Sequence, residues 1–424
     1  MENLAIKGGS PVRKEPFPKY VTIGEEEKKA VIEVLDSTVL SKFLAKWSPD
    51  FFGGPKVQAL EQDWAKYFKT KNAISVNSAT SGLYAAVGAA GVGPGDEVIV
   101  SPYTMSASAT AALIYGAIPV FADIDPEIFC ITPESIRKLI TPSTKAIITV
   151  DIFGHPADMK ETMEIADEHD LIVIEDAAQA PGATLNGKYA GTLAHMGVFS
   201  LNYHKTIHCG EGGVIATDDD VLAERLQMIR NHAEGAVKPR GVKDLVNMVG
   251  WNYRMTEIEA AIASVQLKKL AGLLKKRIDA ADFLSKSLPG IAPFLTPPKV
   301  RKGVRHGYYV YPIRYDKKKA GVPREKFVEA LNAEGIPMTN GYTEPIYLEP
   351  LYQQRIAFGK DGFPFTYPGY HGKVDYNPGI CPVCEQMYYR ELMLTDVCHA
   401  NVSHKDLKDV VTAVEKVTDS IGRL

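Results

Sequence analysis

Lys205 stands in a glycine-rich connection, NYHKTIHCGEGG, between the apolar runs GVFSL and VIAT. A lysine in such a place is ordinarily a solvated surface residue. Drawn into a low-dielectric crevice, it loses part of the stabilisation of its charged form and becomes an amine able to condense with an aldehyde. Two other stretches offer partners for that chemistry. After NAISV come Asn77, Ser78, Ala79, Thr80, Ser81 and Gly82, small and hydroxyl-bearing residues opening a helix. Free amides at a helix start suit a phosphate group, although simple capping by Ser78 or Thr80 accounts for the same residues. After LIVIE comes Asp176, with Gln179 three positions on. A carboxylate ending a buried strand needs a partner: a protonated heterocyclic nitrogen is one, the start of the next helix another.

A phosphate cradle, a buried acid and a reactive lysine, met in that chain order, are together what pyridoxal phosphate requires: an anchor for its phosphate, an acidic partner for its pyridinium nitrogen and an amine for its aldehyde. Gathering them is a task for a sheet. From residue 57 to about 217, the runs NAISV, EVIV, IPVF, KAIITV, LIVIED, GVFSL and VIAT alternate with helical patterns. Such alternation predicts an α/β fold with a mostly parallel sheet, and the near-continuous apolar character of the runs predicts helices on both faces. Ligands of open parallel sheets bind beyond the carboxyl ends of the strands, where all three stations fall.

The rest of the chain frames this unit. Residues 1–25 read as a Pro- and Gly-punctuated arm, followed by a helix in GEEEKKAVIEVLDS; residues 26–270 read as the large domain and 271–424 as a smaller α+β domain. The long helical stretch from Met255 bridges the two, and a strand in YYVYPIRY, a helix in PREKFVEALNAEG and a last helix from about His404 follow. Charge excludes other partners: 48 basic and 51 acidic residues leave a net charge of -3, spread without a basic stripe, so neither nucleic acid nor membrane is expected. No apolar run approaches bilayer length and the amino terminus has no leader-like apolar core, which points to the cytoplasm. The five cysteines lack framework spacing. Cys381 and Cys384 form a lone CxxC, too little for a metal site, so packing cysteines and no metal are expected.

The segments GPKVQALEQDWAKYF, NSATSGLYAAVGAAGVGPGDEVIVSPYT, DIDPEIFCITPESI, VIEDAAQAPGA, FSLNYHKTIHCGEGGVI, RNHAEG and NYRMTEIEAAIASVQL, in order from about residue 54 to 267, resemble the sugar aminotransferases of the DegT/DnrJ/EryC1/StrS family, fold-type I pyridoxal-phosphate enzymes. The resemblance implies that Lys205 holds the cofactor, Asp176 its ring nitrogen and Gln179 its phenolic oxygen, with Ala79, Thr80 and Ser200 at the phosphate. It implies a homodimer with shared active sites, in which Asn252 reaches the neighbouring subunit's cofactor. Arg230 and His232 match a loop near the substrate. Where relatives commonly stack an aromatic on the ring this chain has Met105, leaving either Met105 or Tyr103 for that place. Tyr347 stands where relatives carry a histidine of a substrate loop, or packs as an ordinary aromatic.

The implied activity is transfer of an amino group from glutamate or glutamine, through the pyridoxamine form of the cofactor, to a keto-sugar, nucleotide-linked in most relatives, or to a keto-cyclitol. Such steps serve amino-sugar, surface polysaccharide or secondary-metabolite synthesis. The alternative within the family is a deoxysugar dehydratase, which carries histidine at the lysine's place; here the register through Thr206 to Gly213 aligns Lys205, with His204 beside it. A cofactor-binding regulatory protein without turnover is a third reading, disfavoured by the intact Lys205, Asp176 and Gln179.

Overall fold

The computed structural model describes residues 3–424. All seven apolar runs become strands of one sheet: β1 (Asn72–Val76), β2 (Glu97–Val100), β3 (Ile118–Phe121), β4 (Thr144–Val150), β5 (Ile172–Asp176), β6 (Met196–Ser200) and β7 (Gly213–Thr217). Their spatial order is β1, β7, β6, β5, β4, β2, β3. Every pairing is parallel except the two made by β7, which runs against β1 and β6. The reason is local: the segment from Leu201 to Gly212 contains no crossover helix, so the chain turns back on itself after β6. Val98, Ile99, Ile147, Ile148, Val173, Ile174, Val198 and Ile215 have no exposed surface, as the covered-sheet reading requires. Since β1, β5 and β6 point the same way, the stretches beginning at Asn77, Asp176 and Leu201 leave the sheet along one edge.

The helix Glu257–Ile291 carries the chain onward without a break at residue 270. Its first half packs Ala263, Leu267 and Leu270 with Trp64 and Phe199, and its second half packs Ala281, Leu284 and Leu288 with Phe327 and Val414. That second core lies against a four-stranded antiparallel sheet of Leu295–Thr296, Tyr311–Tyr315, Leu392–Thr395 and Thr339–Asn340. Helices Arg324–Ala333 and His404–Asp419 form from the amphipathic runs read in the sequence. Ile346, Tyr347, Tyr352, Tyr376, Cys381 and Cys384, by contrast, cross back into the core of the large sheet.

The arm is part of the fold rather than a tail before it; its first two residues lie outside the described residues. Leu4 enters the second core. Wholly buried Glu334 accepts from Ala5 N (2.8 Å) and Val12 N (3.0 Å) and pairs with Lys416 at 2.9 Å. Arg13 pairs with Asp406 at 2.7 Å, and Tyr20 donates its hydroxyl to Thr206 O at 2.6 Å, one residue from Lys205.

One buried acid joins two helices of the large unit. Glu257, in the first turn of the long helix, accepts from Gly54 N (3.1 Å), Lys56 N (2.7 Å) and Val57 N (3.3 Å) at the start of helix Pro55–Phe68. A carboxylate there answers both the orphan amides and the helix dipole. Glu257→Ala should therefore cost about 3 kcal/mol in urea unfolding, since buried amides are left unpaired. Glu257→Gln, which keeps an acceptor oxygen, should recover part of that loss.

Candidate active site

Asp176 ends β5 with its side chain enclosed. Oδ2 accepts from Ser108 Oγ at 2.8 Å and Oδ1 from Ala178 N at 3.1 Å. Burial raises its pKa; those two hydrogen bonds and the charge of Lys205 oppose the rise. The second group enters from the next strand. Beyond β6, Lys205 N bonds to Asn202 O at 2.9 Å, a turn that sends the Lys205 side chain inward, where it is 9% exposed. Desolvation lowers its pKa to about 8, with the Asp176 charge acting against the drop. Nζ lies 4.6 Å from the centroid of the Tyr309 ring, whose negative face also favours the cation.

Tyr309 comes from the carboxy-terminal half and is docked by backbone. Gly307 N bonds to Gly154 O at 2.7 Å and Tyr309 N to Phe153 O at 2.8 Å. Arg277 on the long helix holds the carbonyls of Tyr308 and Tyr309, at 3.2 and 3.0 Å. Gly154 has φ +96°, and a Cβ there would stand 2.9 Å from Tyr308 N, so only glycine lets the two strands of chain approach.

The helix Ala79–Ala89 starts beside this crevice. Ser78 caps it, accepting from Ser81 N at 3.0 Å, while Ser81 Oγ donates to Asn77 Oδ1 at 2.6 Å. Capping thus occurs as one of the two sequence readings had it, yet the amides of Ala79 and Thr80 in the first turn still have no helical carbonyl to bond. Gly213 at the head of β7 faces them: a Cβ would lie 2.7 Å from Ala79 N and 2.8 Å from Ser78 C. Ser200 Oγ, at the end of β6, accepts from Asn202 N at 3.3 Å. Gln179 is fixed at both ends, its Oε1 accepting from Phe153 N at 2.7 Å and its Nε2 donating to Tyr342 Oη at 3.0 Å.

Of the two candidates for ring stacking, Tyr103 has no exposed surface; its ring meets Phe153 and Tyr342 edge-on and its hydroxyl accepts from Tyr342 N at 2.9 Å. Met105 is 54% exposed, with its sulfur accepting from Ala107 N at 3.1 Å, and is the one of the pair free to meet a ligand. Two expected substrate residues are not in the crevice. Tyr347 is fully buried among Phe121 and its neighbours, its hydroxyl donating to Glu385, because the aromatic run packs on β3. Arg230 is likewise fully buried, paired with Glu61 and donating to Ser75 O at 3.0 Å, because it ends a helix that lies on β1. His232 and Asn252 lie together on the surface: His232 N bonds to Trp251 O at 3.2 Å, and Asn252 Oδ1 accepts from Arg254 Nε at 2.7 Å.

Ser108 and Tyr309 carry no signal in the sequence as site residues, and Tyr342 stands out there only as the first residue of the aromatic stretch that ends at Tyr347. Ser108 stands in SPYTMSAS without a distinguishing neighbour, and the two tyrosines reach the site only through docking of the carboxy-terminal half. Among the described residues no three His, Cys, Asp or Glu side chains converge as a metal site, and Cys381 and Cys384 are buried in the core. His204, beside the lysine, is exposed, whereas Lys205 is enclosed.

Reductive labelling of the cofactor-free protein with a small aldehyde should modify Lys205 with a midpoint near pH about 8. Asp176→Asn removes the anion that holds the lysine's pKa up, so the midpoint should move lower. A midpoint near the ordinary lysine value of about 10.4 would show a solvated amine instead.

The DegT/DnrJ/EryC1/StrS aminotransferase family model matches residues 22–415. GDP-perosamine synthase of Caulobacter vibrioides is 36% identical, across 77% of this chain and 84% of that protein. L-glutamine:2-deoxy-scyllo-inosose aminotransferase of Streptomyces kanamyceticus is 32% identical, across 98% and 96%. The structure of an aminotransferase from Psychrobacter cryohalolentis superposes with a TM-score of 0.82 at 28% identity, covering 96% of this chain and all of that one. The central sheet is the mostly parallel one of such fold-type I enzymes, and the chain belongs to the DegT/DnrJ/EryC1/StrS aminotransferase family.

Proposed function

We propose that the chain uses pyridoxal phosphate to move an amino group from glutamate or glutamine to a keto-sugar, in most cases nucleotide-linked, or to a keto-cyclitol. The observation that carries this reading is the enclosed Lys205 amine, depressed to about 8, brought near Asp176 at the end of β5 and the ring of Tyr309 from the carboxy-terminal half. The residues fit the cofactor. Buried Asp176 has hydrogen bonds but, among the described residues, no close cation other than Lys205, and a ring N–H would complete its surroundings. Gly213, having no side chain, lets the head of β7 close on the helix start, where a Cβ would stand only 2.7 Å from Ala79 N. When bound, the cofactor supplies an electron sink for the carbon that loses its proton.

The chain's own residues would do the rest. Asp176 would keep the proton on the ring nitrogen, and Ser108 would orient its carboxylate. Ala79, Thr80 and Ser200 would bind phosphate, Gln179 would face the phenolic oxygen, and Met105 would cover the ring. Lys205, once released from the aldehyde, would carry the proton, which an amine close to neutrality does well and an ordinary lysine does poorly. Asp176 and Tyr309 both favour its protonated form, so the amine can take a proton in the crevice and return it.

The relatives' names support both acceptor classes: one names an inosose with glutamine as donor, the other GDP-perosamine. We further propose a homodimer with composite sites. Leu245, Val246, Val249 and Trp251 are 40 to 68% exposed beside Asn252, an apolar strip of the kind that a second subunit covers. The dehydratase reading would need histidine in the crevice, and the exposed His204 gives it no support.

Holoprotein should show a visible absorption band, borohydride should fix the cofactor to the peptide containing Lys205, and glutamate or glutamine should bleach the band without any sugar present. Lys205→Ala should abolish turnover. A sugar product without a new amino group would defeat the assignment.

Mixing Lys205→Ala with Asn252→Ala subunits should restore activity above either parent, because one site of each mixed dimer then carries neither change. No gain after subunit exchange would defeat the composite site.

A further inference from the structure

A second pair of acids lies directly behind Asp176. In the register of β4 and β5, Thr149 pairs with Glu175 and Val150 with Asp176. Side chains alternate along strands, so Asp151, two residues past Thr149, falls on the Glu175 face, opposite to Asp176. Asp151 and Glu175 have no exposed surface. One oxygen of each is accounted for: Asp151 Oδ1 accepts from Ala157 N at 2.9 Å and Glu175 Oε2 from Leu193 N at 2.9 Å. The others, Asp151 Oδ2 and Glu175 Oε1, are enclosed and have no hydrogen-bond partner of normal geometry among the described residues, although the Gly191 N–H also favours the charged form of Glu175. The two side chains are nevertheless within hydrogen-bonding reach of each other.

Two enclosed carboxylate oxygens in contact repel unless a proton lies between them, and burying both charges without one costs several kcal/mol. We propose that Asp151 and Glu175 share one proton and act as a positioning pair, fixing the carboxyl end of β5 and with it Asp176. Asp151 N also donates to Asp176 O at 3.1 Å, so the pair is tied to the residue it positions. One unit of negative charge, not two, then lies behind Asp176.

Burial raises both acids, Asp151 the further because the charges of Glu175 and, across the strand, Asp176 also act on it. The other titratable groups nearby are Cys130, its thiol pushed well above its usual range by burial, Lys205 across Asp176, and His195, which accepts from Val173 N on β5. Asp158 and Arg301, neighbours of Cys130, are paired with each other. The folded chain holds a proton that the unfolded chain releases above the ordinary carboxyl range of about 4. Stability from the pair is therefore present at low pH and lost as pH rises towards the pair's own value.

Glu175→Gln and Asp151→Asn each replace the shared proton with a permanent amide donor. The unfolding midpoint of the native sequence, relative to either amide variant, should decrease as pH rises above the ordinary carboxyl range of about 4. An infrared difference spectrum at about pH 7 should show one protonated-carboxyl band lost in either variant. Positioning has its own readout: Glu175→Ala should lower the pH midpoint of Lys205 labelling, as Asp176→Asn does, while Glu175→Gln keeps it. Equal pH slopes in native and amide variants, an unchanged carboxyl band in both, or a labelling midpoint indifferent to Glu175→Ala would each overturn the proposal.

Discussion

Charge held away from water at the carboxyl edge of the sheet is the constraint from which the rest follows. Asp176 is enclosed, and an unsupported carboxylate there would cost several kcal/mol. Ser108, Ala178 N and the Lys205 charge each offset part of that cost. Lys205 in turn needs Tyr309, and Tyr309 needs the backbone bonds to the Phe153–Gly154 turn and the Arg277 clamp behind it. The crevice is therefore an outcome of how the two halves of the chain dock, and Gly154 is one point at which their backbones approach closely.

The sheet was legible because its strands are buried on both faces and so write themselves as unbroken apolar runs; all seven runs became strands. The antiparallel return of β7 was not separately visible, since the run VIAT reads the same in either direction. Lys205, Asp176 and the Ser78–Ser81 stretch could be found because each directly follows such a run. What stayed hidden were contacts between residues remote in sequence. Tyr342 reaches Gln179 across 163 positions, a pairing that no local spacing encodes.

Tyr347 and Arg230 show the opposite case. Each stands at a position the family resemblance made of interest, yet a large side chain is placed by what surrounds it. Tyr347 is enclosed by Phe121 and has Glu385 for its hydroxyl, and Arg230 has Glu61 and a carbonyl for its charge. Tyr347 has its hydroxyl answered inside the core, and Arg230 has its charge paired there, although its Nε and second Nη stay without a hydrogen bond among the described residues.

The docked arm bears on how the chain is made. Residues near the amino terminus find their partners near the other end: Ala5 and Val12 at Glu334, Ser10 at Lys416, Arg13 at Asp406. During synthesis these residues leave the ribosome before their partners and must wait for some 400 further residues before their binding surface is complete. The large sheet, complete by Thr217, can form meanwhile, whereas the second core closes only when both ends meet. Closure of so long a loop favours a late step in folding, and Tyr20, bonded to Thr206 O, makes that same step the one that finishes the lysine loop.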